Sequence, residues 1–201
     1  MTSLRLREAG PGDADGVARL HADSWRRHYR GAYADEFLDG DVVADRLTVW
    51  AARLPGAATR GAATRGAATP GAATPGAVTV VAEDGARMVG FVHVVFDLDE
   101  RWGSLVDNLH VANDRRHGGI GTALLARAAA ATTAHAASHR LYLWVLAQNL
   151  AAQRFYRARG GEPVERAPVP PPGGVPARLN GSPDGLRIAW PDAAILVTAG
   201  G

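Results

Sequence analysis

The 201-residue chain contains no cysteine, and all 22 of its basic residues are arginine. The missing cysteines exclude disulfides, a thiolate nucleophile, Cys-ligated zinc and iron–sulfur clusters. The missing lysines exclude a Walker A phosphate loop, a Schiff base and a lysine nucleophile. Long hydrophobic runs are absent too. The longest, around residues 123–137, is mostly alanine and carries Arg127 and His135, so no membrane span is expected. Residues 1–10 carry Arg5, Arg7 and Glu8 with no apolar core, so no signal peptide is read and a cytoplasmic location is expected. Against 20 acidic residues the formal net charge is only +2. With no lysine or cysteine, little titrates between histidine and tyrosine. The pI of about 9.5 therefore reflects a small excess of charge, and no nucleic-acid partner is expected.

Hydrophobic residues make up 47% of the chain, enough to bury a core in one domain spanning residues 1–201. Residues 4–8 alternate as a short strand. Pro11-Gly12-Asp13 then leads into a helix with Val17, Leu20, His21 and Trp25 on one face. A second helix is predicted over 41–54, with Val43, Leu47 and Trp50 on its inner side. The pentapeptide Gly-Ala-Ala-Thr-Arg at 56–60 recurs at 61–65, and again at 66–70 and 71–75 with proline replacing arginine. So short a period builds no solenoid, and this composition buries no core, so 56–76 reads as a low-complexity surface loop. Strands follow at 78–82, 88–96 and 105–111. Then come a Gly-rich turn, a helix at 120–137, a strand at 141–145 and a helix at 149–159 stopped by Gly160-Gly161. A Pro/Gly-rich insert at 167–185 precedes a last strand at 186–190. This order predicts an α+β fold with a mixed, mostly antiparallel central sheet flanked by helices.

The informative stretch is the turn between strand 105–111 and helix 120–137. Unpaired amides and the helix dipole favour an anion at a helix start. Gly118, Gly119 and Gly121 allow close approach of a phosphate, and Arg115 and Arg116 add positive potential. A tight turn without a ligand remains the plainer reading. A dinucleotide fold is disfavoured, because Leu124 stands where its third glycine belongs. Downstream, Ala152, Phe155, Tyr156 and Arg159 share a helical face, which reads equally as core packing. Asn149 is placed to cap that helix.

Arg116-His117-Gly118-Gly119-Ile120-Gly121 resembles the Arg/Gln-x-x-Gly-x-Gly/Ala signature of the GNAT superfamily of N-acetyltransferases. Asn149 through Gly160 resembles that family's Asn-x-x-Ala-x-x-Phe-Tyr-x-x-x-Gly segment. The likeness covers roughly residues 4–166, with 186–190 as a closing strand. It implies a GNAT-like fold in which Arg116, His117, Gly118, Gly119, Ile120, Gly121 and Thr122 hold the pyrophosphate of acetyl-CoA. It also implies that Leu109, His110 and Val111 run beside the pantetheine arm, that Asn149 contacts that arm, and that Tyr156 is the general acid. The implied reaction is direct acetyl transfer to a primary amine of a small molecule or protein, with no metal and no covalent intermediate. The same fold also serves non-catalytic acyl-CoA-binding regulatory modules. Family habit alone leaves a homodimer open.

For the base, Asp107 and His110 lie on the strand nearest the thioester. Strict alternation puts them on opposite faces, so at most one points inward. A surface carboxylate and a hydrogen-bonded sheet histidine are the plainer readings. Trp25, His28, Tyr29 and Tyr33 either line an acceptor site or pack helices together. One departure is Gly161, where the family usually has an aromatic residue, so the edge after this helix is expected to pack differently.

Overall fold

A computed structural model describes residues 4–54 and 76–198; the repeat at 56–75 lies outside the described residues. Strands β1 (Leu4–Glu8), β2 (Ala77–Asp84), β3 (Arg87–Asp99), β4 (Gly103–Val111), β5 (Leu141–Leu146), β6 (Glu162–Pro168) and β7 (Asp184–Trp190) form one sheet in the order β1-β2-β3-β4-β5-β7-β6. Every neighbouring pair is antiparallel except β4 and β5, which run parallel. The helices are α1 (Ala14–His28), α2 (Asp35–Asp39), α3 (Val42–Arg53), α4 (Ile120–His135), α5 (Leu150–Arg157) and α6 (Ala194–Thr198). This is the α+β architecture expected from the sequence. No helix among the described residues is long and apolar enough to cross a membrane.

Period-two alternation sorts the core into layers. Val80, Ala82, Val92 and Val94 face the α4 and α5 side, where Leu124, Leu125, Ala128 and Tyr156 complete the cluster. Val81 and Phe91 point the other way, onto Val17, Ala18 and Trp50 from α1 and α3. The alanines of α4 keep that helix thin against the sheet. Gly90 of β3 is its seat, since a Cβ there would lie 2.9 Å from Leu124 and 3.2 Å from Ile120.

Several sequence expectations shift. The buried stripe of α3 is Val42, Arg46 and Trp50, while Leu47 is 37% exposed. Arg46 is held in its buried place by stacking 4.3 Å over the Trp25 ring and by pairing with Asp45. Residues 162–168 form β6, so the irregular segment is only 169–183. This edge strand is almost wholly exposed and carries Pro163 and Pro168, so it shows neither alternation nor a ladder-compatible sequence. The helices α2 and α6 are each five residues long, too short for a period to register.

Gly161 has a steric reason. A Cβ there would meet Ile188 and Trp190 at 2.6 Å. Trp190 is buried and its Nε1 donates to the Arg159 carbonyl at 2.9 Å, so the indole from β7 fills this space.

The α1/α3 side holds three buried histidines. His21 Nδ1 accepts from Trp50 Nε1 at 3.0 Å. His93 Nδ1 lies 2.7 Å from Thr79 Oγ1, and His110 Nδ1 lies 2.7 Å from Ser24 Oγ. Burial is the largest influence on each. It takes His93 down to about 4, His110 down to about 3, and His21 well below its ordinary value. The unfolded chain binds protons near pH 6.5 and the folded chain does not. Their contribution is therefore complete above about pH 6.5 and is lost as pH falls below it, by about 1.4 kcal/mol per histidine per pH unit until the folded pKa is reached. Urea titrations should show the unfolding free energy falling steeply between roughly pH 6.5 and pH 4.5. His93→Gln should lower that slope by about one proton; a flat wild-type profile would contradict the neutral, buried assignment.

Candidate active site

The site grows from a failure of pairing. β4 and β5 are registered only at Ser104 with Leu141 and Leu105 with Tyr142. Gly103 pins that end: its φ is +79° and a Cβ there would sit 2.4 Å from the Arg140 carbonyl. Beyond Leu105 the strands diverge. A cavity of about 670 Å³ opens between residues 106–111 of β4 and 143–146 of β5, a size suited to a cofactor or substrate. The N–H of Ala112 donates to Val89 on the β3 side. Backbone groups alternate along a strand, so Val111 and Leu109 direct theirs into the gap.

At one end of the gap stands the start of α4. Its N-cap, Gly119, has φ +77° with nothing within 4 Å of where a Cβ would stand, and no side chain caps the helix. The first-turn N–H groups of Ile120, Gly121 and Thr122 therefore face outward without intrahelical partners. His117, at φ +65°, precedes them in the left-handed region. Arg115, Arg116, Arg154 and Arg159 line the same cavity. Of these, Arg115 pairs with Asp84 at 2.6 Å, and the other three have no carboxylate partner among the described residues. Unpaired amides beside arginines without counter-charge favour an anion here.

Tyr156 lines the cavity and is only 8% exposed. Burial, then the neighbouring Tyr29, pushes its phenol well above the usual range, so it keeps its proton. Its hydroxyl has no hydrogen-bond partner among the described residues. Asn149 caps α5 through Oδ1, which accepts from Ala152 N–H at 3.1 Å. Its amide nitrogen remains available on the cavity wall.

A β-bulge changes the expectation for Asp107 and His110. His93 pairs with Asn108 and Val94 with Val106, which leaves Asp107 without a partner on β3. The extra residue resets the alternation. Asp107 Oδ2 accepts from Arg53 of α3 at 2.6 Å and from Asn108 at 2.6 Å, while His110 meets Ser24 of α1. Both side chains thus turn toward the α1/α3 side, contrary to strict alternation. His110 also stacks on His21 and Phe91, with centroids at 4.7 and 5.2 Å, and its depressed pKa makes it a weak proton acceptor.

Of the aromatic trio, only Tyr29 lines the cavity. Trp25 and Tyr33 are each 7% exposed and pack edge-to-face at 5.1 Å in the cluster around Leu38 and Leu146. They are helix-packing residues that brace Tyr29, whose ring lies 4.9 Å from that of Tyr33. Gly118 also stands outside the cavity lining, while Leu109, His110, Val111, Arg116, His117, Gly119, Ile120, Gly121, Thr122, Asn149 and Tyr156 are gathered in it. His28, expected with these aromatics, also lines the cavity, and Ser24 and Trp144 join it without having been anticipated. Ser24 lies one helical turn before the expected His28, and Trp144 is the exposed residue of an otherwise buried strand. Those spacings were the available signal.

The sequence profile of the acetyltransferase (GNAT) family matches residues 50–160. This chain belongs to that family. A search among curated proteins gave no match. Among solved structures, the PaiA N-acetyltransferase of Thermoplasma acidophilum in complex with coenzyme A is similar at a TM-score of 0.63. It is 15% identical, over 94% of this chain and 99% of that one. The protein yncA of Salmonella typhimurium, solved with its cofactor acetyl-CoA, is 16% identical at a TM-score of 0.61, over 93% of this chain and 92% of that one. The ribosomal-protein-alanine N-acetyltransferase of Brucella melitensis is 19% identical at a TM-score of 0.61, over 92% and 98%. At these identities the likeness is one of fold.

The two loop glycines should separate in a stability experiment. Gly119→Ala places a side chain in the left-handed region and should cost about 1–2 kcal/mol. Gly118→Ala, whose Cβ would meet only the Arg115 carbonyl at 3.6 Å, should cost a few tenths at most. Equal losses in urea denaturation would mean that Gly119 is not the left-handed cap.

Proposed function

We propose that this chain transfers the acetyl group of acetyl-CoA directly to a primary amine of a small molecule or protein. The observation that carries this reading is the open β4–β5 gap, with an anion site at the α4 end and the protonated Tyr156 on its wall. The α4 amides from 120 to 122 hold the pyrophosphate, assisted by Arg116 and His117. Leu109 and Val111 present backbone groups to the amide-bearing arm, and an N–H from this segment polarises the thioester carbonyl. Asn149 adds an amide donor on the same wall. Tyr156 donates its phenolic hydrogen to the departing sulfur. In this reaction the C–S bond breaks as the C–N bond forms, and the thiol leaves with the donated proton.

The acceptor enters from the α1/α3 side. Tyr29 and Trp144 give it apolar walls, and Asp107 gives an attracting carboxylate. Arg53 and Asn108 both occupy Asp107 Oδ2, so Oδ1 is the oxygen left for an ammonium group. Asp107 is better placed than His110 to orient the amine and receive its proton, because His110 is buried against Ser24 and burial disfavours its taking up a second ring proton.

Calorimetry with acetyl-CoA and CoA, followed by free-thiol release over a panel of amines, tests the proposal. Binding with turnover on at least one amine is expected. Binding without turnover on any amine would favour the non-catalytic acyl-CoA-binding reading. Tyr156→Phe should lower kcat by about 10²–10⁴-fold with CoA affinity retained, and full turnover would remove Tyr156 as the acid. Because burial keeps the phenol protonated, no alkaline loss of kcat below about pH 10 should trace to it. Gly119→Arg should abolish CoA binding.

A further inference from the structure

Arg159 follows α5 and lines the cavity beside the first turn of α4. Its Nε and Nη2 both donate to Thr122 Oγ1, at 3.1 and 2.5 Å, and its Nη1 donates to the Phe155 carbonyl at 2.9 Å. The guanidinium carbon lies 3.8 Å over the Phe155 ring. The head is thus fixed in position, tethered on one edge and supported on one face. A guanidinium carries five N–H bonds. These contacts use three, which leaves one on each Nη.

No carboxylate among the described residues pairs with this cation. It stands beside the positive end of α4, and burial lowers its pKa. Two positive features held side by side without a counter-charge are unfavourable until an anion joins them. Thr122 supports the same conclusion. Its oxygen accepts twice from Arg159, so its own proton is free to be donated into the cavity.

We propose that Arg159, tethered by Thr122, is a phosphate-binding residue that grips the pyrophosphate diester of the acyl donor together with the α4 amides. This rests on the acetyl-CoA reading above. The pyrophosphate is preferred to the ribose 3′-phosphate because the guanidinium is tied to the helical turn that presents the unpaired amides.

Titrations of wild type, Arg159→Gln, Arg159→Lys and Thr122→Val with CoA, 3′-dephospho-CoA and pantetheine test this. Arg159→Gln should weaken CoA and 3′-dephospho-CoA alike, by about 10–100-fold, with pantetheine affinity little changed. Arg159→Lys keeps the charge and loses the fork, and should fall between wild type and Arg159→Gln. Thr122→Val should weaken both nucleotides less than Arg159→Gln. Unchanged CoA affinity in Arg159→Gln would overturn the proposal. So would an equal loss for pantetheine, which would make Arg159 a packing residue only. A loss confined to CoA would move the contact to the 3′-phosphate and overturn the pyrophosphate assignment. If Arg159→Gln does not fold, the Arg159→Lys series decides on the same criteria. Wild type that binds pantetheine and neither nucleotide would overturn this proposal, and wild type that binds none of the three would overturn the donor reading itself.

Discussion

Everything at the site depends on keeping β4 and β5 apart. Left alone, two strands that begin to pair tend to continue, because each buried N–H and C=O needs a partner. Here each strand is held from its outer side. β5 is registered with β7 across all of Leu141–Leu146, and β4 with β3 along most of its length. Ser104 and Leu141 fix the near end, while α4 and α5 on one face and α1 on the other wedge the far end. The unpaired edges of Leu109 and Val111 are thus an unmet demand for hydrogen bonds, built into the sheet.

The two sides of that gap differ in electrostatic character. The α4 end is rich in unpaired N–H groups and arginines. The α1/α3 side is a layer of neutral imidazoles and indoles, from which Asp107 emerges on its bulge with Arg53 as counter-charge. On the proposed reading, a donor bearing phosphates and an acceptor bearing an ammonium group would each find its complement from its own side. On the same reading the two meet at Tyr156, where positioning would supply much of the rate.

The central part of this arrangement was legible in the sequence. The Gly119 turn and the Asn149 cap follow from local rules about helix ends, and the strands from 78 to 111 declare themselves by composition. Tyr156 stood out only through the family resemblance, since its helical face alone reads as core. What escaped was set by non-local packing. The bulge at Asp107 exists only in the register with β3. Trp25 and Tyr33 look identical to Tyr29 in sequence, and only the cluster around Leu38 withdraws them from the cavity. β6 has no inward face to write a pattern with. Arg46 reads as a surface residue until Trp25 lies beneath it.

Trp190 ties the site to the far end of the fold. Its indole packs on Tyr156 at 6.1 Å, hydrogen-bonds the Arg159 carbonyl and fills the space above Gly161. Every residue of the two family motifs precedes it in the chain. A nascent polypeptide that has emerged as far as α5 therefore holds the motif residues but lacks the indole against which Tyr156 and Arg159 rest. The cavity wall is completed only when β7 inserts between β5 and β6, so competence arrives after the motifs have been made rather than with them.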